Sequence, residues 1–193
     1  MAIIKLTTPI FRVAFPSVFE PKAIGNSPKK KYYLTMLFTL AEIAKDPAEK
    51  KKWDDLMMSA KLVAEEKWPK GLPKGLANPF QDGMQKQEYD GYGAGVKYLN
   101  TSTTTRPGLI DAAKNKIEDP SDFYGGCYAR ATVNPYAWEF MGKVGVSFGL
   151  QNIQKVREGE PFGGRTRAED DFDALAATLS EDTPPADTEN LFV

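Results

Sequence analysis

The chain has 193 residues, 41% of them hydrophobic and 26% charged, with a mean hydropathy of -0.43; this fits one ordinary globular domain with a short appendage and lies outside the range of membrane or disordered chains. A single cysteine, Cys127, and no histidine exclude internal disulfides and Cys/His zinc sites, remove every Ser-His and Cys-His nucleophile pair, and leave only carboxylate, lysine or tyrosine chemistry to an enzyme. The net charge of -1 conceals a segregation: residues 168–193 carry eight acids and no Lys or Arg, which leaves 25 basic against 18 acidic groups in residues 1–167, a net +7.

A basic body carrying its own acidic competitor is the charge pattern of a polyanion binder. No cofactor or metal is expected, and a non-enzymatic binding protein is favoured. The start lacks the layout of a signal peptide and no apolar run reaches the ~18 residues of a membrane helix, so a cytoplasmic location is expected.

Along the chain, Ile3 to Phe15 is rich in β-branched and aromatic residues punctuated by Pro9 and Pro16, which predicts short strands and a sheet edge. A turn-rich segment, Pro21 to Pro28, follows. From Lys31 to Leu40 the pattern alternates: Tyr32, Leu34, Met36, Phe38 and Leu40 share one face, and Lys31, Tyr33, Thr35 and Thr39 the other, as in a half-buried strand offering a lysine and a ring to solvent. A helix is predicted over about 46–68. Asp46 caps it, Pro47 suits its first turn, Glu49 completes a capping box, and Trp53, Leu56, Met57, Ala60, Val63, Ala64 and Trp68 form its apolar stripe.

Residues 70–95 read as a long, glycine-rich loop; in it and just after it Tyr89, Tyr92 and Tyr98 interleave with Lys86 and Lys97, suited to a flap over a nucleic-acid strand. Gly91-Tyr92-Gly93-Ala94-Gly95 is no phosphate loop, since no G-K-[ST] follows it. Strand patterns return at Gly125 to Val133, with Cys127, Ala129, Ala131 and Val133 inward and Tyr128, Arg130 and Thr132 outward, until Asn134-Pro135 breaks the strand. In the last alternating run, Lys143 to Leu150, Val144, Val146, Phe148 and Leu150 face inward, and Ile153 and Val156 continue it. Several strands, one dominant helix and no βαβ rhythm predict a mainly β fold, a five-stranded OB-type barrel with a flanking helix, a long loop and a disordered acidic tail after residue 167. A β-sandwich is the alternative.

Single strands of nucleic acid are held by cations on the phosphates and by flat rings under unpaired bases. The residues that supply both are Lys29, Lys30, Lys31 and Tyr33 at one strand, Tyr128 and Arg130 on another, Tyr124, Tyr136, Trp138 and Lys143 beside it, and Tyr92, Lys97 and Arg106 from the flap. In the tail, Asp170-Asp171-Phe172-Asp173 and the apolar tip Leu191-Phe192 read as docking elements for a partner protein.

The block Tyr124-Gly125-Gly126-Cys127-Tyr128 through Asn134-Pro135-Tyr136-Ala137-Trp138, then Gly145-Val146-Ser147-Phe148-Gly149-Leu150-Gln151-Asn152-Ile153-Gln154-Lys155-Val156 and Gly159-Glu160, closely resembles the single-stranded DNA-binding proteins of tailed bacteriophages, formerly a domain of unknown function. The resemblance spans about the first 165 residues. It implies an OB fold, sequence-independent binding of single-stranded DNA, and a role in phage replication, recombination or repair; the individual DNA-contacting residues come from the alternation instead. The charge segregation adds an expectation that the tail inhibits binding and recruits replication or recombination proteins. Two other readings use the same residues: a strand-annealing recombination mediator, and a carboxylate- and magnesium-dependent nuclease. A homo-oligomer is compatible with all three.

Overall fold

A computed structural model describes residues 5–163. In chain order the elements are β1 (Leu6–Thr7), β2 (Phe11–Ala23), β3 (Lys30–Thr39), α1 (Leu40–Lys45), α2 (Pro47–Lys67), β4 (Gln81–Asp82), β5 (Val96–Thr103), β6 (Gly108–Ile110), β7 (Tyr128–Phe140) and β8 (Lys143–Arg157). β2 pairs with β3 and β3 with β5, both antiparallel; β5 pairs with β8 in parallel, β8 with β7, and β7 returns to β2. These five strands form a closed ring, the OB-type barrel expected from the sequence. β1, β4 and β6 extend it at the edges.

The ring interior is filled by alternate side chains: Phe11 and Val13, Leu34, Met36 and Phe38, Leu99, Ala129, Ala131 and Val133, and Val146, Phe148 and Leu150, all buried. The small residues on β7 leave room for the large ones opposite. Helix α2 packs Trp53, Leu56, Ala60 and Ala64 onto this core. A chain of rings links the elements: Phe11 to Phe38 (5.8 Å between centroids), Phe38 to Trp53 (5.0 Å), Trp53 to Phe80 (5.1 Å) and Phe80 to Phe148 (5.7 Å). The spacings and tilts are those of favourable aromatic pairs.

The predicted helix matches Pro47–Lys67 with Pro47 at its start, and the Asp46 carboxylate accepts the Ala48 N–H at 2.8 Å. Its capping box does not form. Glu49 instead accepts the Ile10 N–H at 2.6 Å and pairs with Lys52 at 2.5 Å, so it ties the start of β2 to the helix. Met57 is 49% exposed, off the stripe to which its spacing assigned it.

Other departures have local causes. Leu40 opens α1 rather than ending the strand. β3 is buried on both faces through its second half, Thr35 and Leu37 included, because the 83–95 segment folds back over it; β4 leads into that segment, which opens with a 3₁₀ turn at Gly83–Lys86. β2 runs on to Ala23, beyond the start of the predicted turn. Asn134-Pro135 does not end β7, since Pro135 lies opposite Phe148 and the pairing continues to Phe140↔Lys143; a proline is tolerated where its side of the strand has no ladder to donate to. In β8 an extra residue, Gln151, falls between Leu150↔Val133 and Asn152↔Thr132. A bulge of this kind reverses the alternation: beyond Leu150 the buried positions are Ile153 and Lys155, not Val156.

Glu49→Ala strands the Ile10 N–H and should lower the free energy of unfolding in urea by about 1–3 kcal/mol, while Glu49→Gln, whose amide oxygen still accepts, should retain most of it. Equal losses in the two variants would assign the effect to the Lys52 pair.

Candidate nucleic-acid interface

Residues paired across a sheet share a face, so the registers define the outside of the ring. Leu37 lies between Arg12 and Tyr98; Thr35 lies between Ala14 and Asn100; Tyr33 lies between Ser17 and Ser102. Ser102 in turn faces Gly149 on β8, and Gly149 faces Asn134 on β7. The outer surface of β2, β3 and β5 is thereby continuous with that of the β7–β8 ribbon. Its floor is polar and small. Thr35 donates to the Asn100 side-chain oxygen at 2.8 Å, and Gln151 to that of Asn134 at 2.7 Å.

One end of this face is cationic. Lys22 faces Lys31 across the β2–β3 hairpin on this face; Lys30, opposite Ala23, points to the other side of β3 at the same end, and Lys29 precedes them in the turn. None of the four pairs with a carboxylate among the described residues. β5 ends at this same end, with Thr103 opposite Tyr32, and exposed Arg106 follows in the next turn.

The opposite end is walled by rings. Phe15 and Tyr89, 51% and 47% exposed, meet edge to face at 5.5 Å; Tyr92 lies 6.4 Å from Phe15 and 5.3 Å from Tyr98, and the Lys86 ammonium sits 5.0 Å from the Tyr98 ring. Phe15 adopts φ +46, unusual for a bulky residue, at a β2 register shift between Ala14 and Ser17. That twist turns its ring outward. Phe15 was not selected from the sequence, because a register shift leaves no periodic trace; Tyr89 was read as a ring of the flap but not included among the DNA-contacting residues.

The selected residues divide. Lys29, Lys30, Lys31, Tyr33 and Arg106 gather at the cationic end. Tyr92 belongs to the ring wall but is half-buried, packing with Phe162 against Ala14, Leu37 and Tyr98; its hydroxyl finds no well-formed hydrogen bond among the described residues, and burial pushes its pKa up to about 12. Tyr136, Trp138 and Lys143 lie on the outer face of the β7–β8 ribbon. Tyr128 stands opposite Arg12 on β2, with the Arg157 guanidinium 3.5 Å from its ring centroid and that of Arg12 at 5.7 Å. Its ring is thus already engaged by cations.

Three residues are placed elsewhere. Lys97 shares the face of Phe38, on the far side of β5 from Tyr98, and pairs with Asp82 at 3.0 Å; the Met84 N–H and this lysine hold the Asp82 carboxyl below its usual range. Tyr124 bonds to the Glu158 carboxylate and the Gly159 carbonyl, beneath the Lys155 ammonium. Arg130 donates to Gln154 at 2.9 Å in a separate recess between β1 and β6, with Thr7 and Gly108 in its walls. The tail residues Asp170, Asp171, Phe172, Asp173, Leu191 and Phe192 lie outside the described residues. Among those described, no three carboxylates or cysteines converge as a metal site, and no helix is long and apolar enough to cross a membrane.

A tyrosine whose pKa is raised on folding contributes stability that is complete below its unfolded value near 10 and lost as pH climbs through its folded value. Unfolding free energy should therefore fall between about pH 10 and 12, and Tyr92→Phe should flatten the fall while leaving stability at pH 7 unchanged or higher. Urea titrations at several alkaline pH values check this; a Tyr92→Phe protein weakened at pH 7 would show that the hydroxyl has a partner after all.

A family model described as the single-stranded DNA-binding protein of Enterobacter phage Enc34 matches residues 4–184. A putative protein p50 from Acyrthosiphon pisum secondary endosymbiont phage 1 is 33% identical over 182 residues, covering 89% of this chain and 94% of that one. Among solved structures, the single-stranded DNA-binding protein of bacteriophage Enc34 in complex with ssDNA is similar with a TM-score of 0.68 at 20% identity, over 82% of this chain and 89% of that one. The single-stranded DNA-binding protein gp2.5 of bacteriophage T7 is similar with a TM-score of 0.57 at 16% identity, over 93% and 100% of the two chains. With a family model covering most of its length and a ring of strands of the kind these structures share, the chain belongs to the Enc34 family of phage single-stranded DNA-binding proteins, which are not enzymes.

Proposed function

We propose that a single strand of DNA runs across the outer face of β3 and β5, from the lysines of the β2–β3 hairpin to the ring wall of Phe15 and Tyr89. The observation that carries this reading is the pairing of a polar strand surface, accessible at Tyr33, Asn100 and Ser102, with unpaired lysines at one end and exposed rings beyond it. In OB-type barrels the second and third strands of the ring are the ones that carry oligonucleotides, and here these are β3 and β5. Lys22, Lys29, Lys30, Lys31 and Arg106 neutralise phosphates, and Tyr33 with the wall residues supplies stacking. Rings accept every base, so binding is independent of sequence. Tyr128, flanked by Arg12 and Arg157, adds cations at the edge of the same face. The binding serves phage replication, recombination or repair.

The acidic tail acts on the same face in this reading. Phe162, next to the last described residue, packs against Ala14, Leu37 and Tyr98, and its N–H bonds to the Gly125 carbonyl at 2.9 Å. Residues 164–193 thus begin on the surface that DNA would cover. Eight negative charges tethered there have a high effective concentration against the lysines and compete with phosphate; DNA, with its denser charge and stacking bases, displaces them and frees Leu191-Phe192 for a replication or recombination protein.

Titration with fluorescent oligo(dT) across a salt series tests the groove. The log-log salt slope should be about -0.7 per phosphate neutralised, and Lys29→Gln with Lys30→Gln should each remove about that much. Tyr33→Ala should cost about 1–3 kcal/mol of binding with the thermal transition retained. An affinity indifferent to salt would refute an electrostatic groove.

Truncation after Arg167 tests the tail in the same titration: affinity should rise, most at low salt, and the gain should shrink as the Debye length falls to about 8 Å. Equal affinities of intact and truncated protein at low salt would remove the competition.

A further inference from the structure

Helix α2 buries Trp53, Leu56, Ala60 and Ala64 and packs onto β1, β7 and β8, so its opposite side points away from the barrel. That side is not uniformly polar. Met58 is 55% exposed and Met57 nearly as much, and the two stand mid-helix between two ion pairs: Lys50 with Asp54 before them, and Lys61 with Glu65 after them. At about 100° per residue, Lys50, Asp54, Met57, Met58, Lys61 and Glu65 all fall within about 50° of one line along the helix. They form a single exposed ridge.

This ridge is symmetric in spacing and inverted in charge. Its steps are four, three, one, three and four residues, the same in either direction. Read backwards, each cation stands where an anion stood: Glu65 replaces Lys50 and Lys61 replaces Asp54, about a point midway between Met57 and Met58. Two such ridges laid antiparallel, with a two-fold axis through that point, set Asp54 level with Lys61 of the second copy and Lys50 level with its Glu65. Laid parallel and in register, every charge would meet its like.

We propose that the outer ridge of α2 is a homodimer contact in which two copies of this chain pack their helices antiparallel, with four methionines meeting at the two-fold axis. The interface is isologous, so one patch serves both subunits and every contact occurs twice. A second copy is the occupant because the charge order of the ridge complements itself and nothing else is needed to pair it. Exposed ion pairs contribute little singly, and each of these is already made within its own helix. The methionines therefore drive association, their flexible thioethers adapting to one another, and the charges select the antiparallel register. A ridge of six residues is well short of the roughly 20–30 per side of a standard interface; the dimer is accordingly weak and forms at high local concentration. The contact lies beyond the helix and not on the outer face of β3 and β5, so it goes beyond the groove reading without competing with it.

Sedimentation velocity of the full chain from about 1 μM to about 1 mM tests the contact, with thermal melting to verify that each variant is folded; all the altered side chains are exposed. The sedimentation coefficient of intact protein should rise with concentration toward that of a dimer. Met58→Glu sets two carboxylates against each other across the axis and should weaken association about tenfold or more. Lys61→Glu opposes Asp54 of the second copy with a like charge at two places, and Asp54→Lys does the same to Lys61, so each alone should weaken the dimer. Combining the two exchanges the signs and should restore most of the loss. Positions 54 and 61 are two turns apart, outside the i,i+3 and i,i+4 range, so the recovery reports on pairing between copies. Intact protein that stays monomeric throughout, association that survives Met58→Glu, or a combined variant no better than the single ones would each overturn the proposal.

Discussion

β8 is the strand on which the molecule depends, because it alone pairs with both β5 and β7 and so turns an open meander into a ring. Its pairing with β5 is parallel and short, with Thr101 opposite Phe148 and Ser102 opposite Gly149; its pairing with β7 runs the full length of both strands. Long-range parallel pairings are entropically costly to reach, and this one is held by Phe148, buried between the Phe80 ring and the barrel interior. The same two registers that close the core also bring Ser102, Gly149 and Asn134 into one row on the outside. The continuous outer face is thus a geometric by-product of closing the barrel.

That face is partly covered by the protein itself. Ala14, Leu37 and Tyr98 form a small apolar cluster roofed by Tyr92, Val96 and Phe162, and Gly91, at φ +81, brings the backbone so close to Leu37 that a Cβ would collide with its side chain. The cover has costs: a buried Tyr92 hydroxyl without a well-formed partner and a left-handed Phe15. Unsatisfied buried groups and strained backbone persist where neighbouring structure over-determines them. Here they adjoin the exposed Phe15 and Tyr89 rings, so the costs are borne by the segment that builds the wall of the proposed groove.

The inward residues of β7 and of β8 up to Leu150 are legible from alternation alone, because those segments have one face in the core and one outside. Legibility ends where an extra residue enters. Gln151 shifts the period of β8, so Lys155 sits at a buried position that alternation assigns to solvent, its ammonium satisfied by the Asp122 carbonyl at 2.6 Å and by Glu158. Thr35 and Leu37 look outward in sequence because nothing local announces that residues 83–95 will fold over them. Lys97 reads as a flap cation, yet its parity on β5 sends it to the other side of the sheet from Tyr98, into a pair with Asp82. Phe15 was not legible, since its outward turn comes from a register shift, and Tyr136 and Trp138 stand on a strand that the sequence reading ended at Asn134-Pro135.

The charge segregation visible in the sequence acquires a spatial meaning at the end of β8. Arg12 donates to the Gly126 carbonyl at 3.0 Å and to that of Glu160 at 2.7 Å, strapping residues 158–162 across the start of β7. The Arg12 guanidinium also lies 4.4 Å from the centroid of the Phe162 ring. One arginine thereby fixes where the chain leaves the barrel, and it does so on the outer face of the ring and not at its opposite side. A tether of fixed origin sets the local concentration of whatever it carries far more tightly than one leaving from a distant surface. For the proposed competition between tail and DNA, the exit point matters as much as the number of acidic residues: the same eight charges released from the far side of the barrel would have to span it before meeting the lysines, and most of their advantage over free anions would be lost.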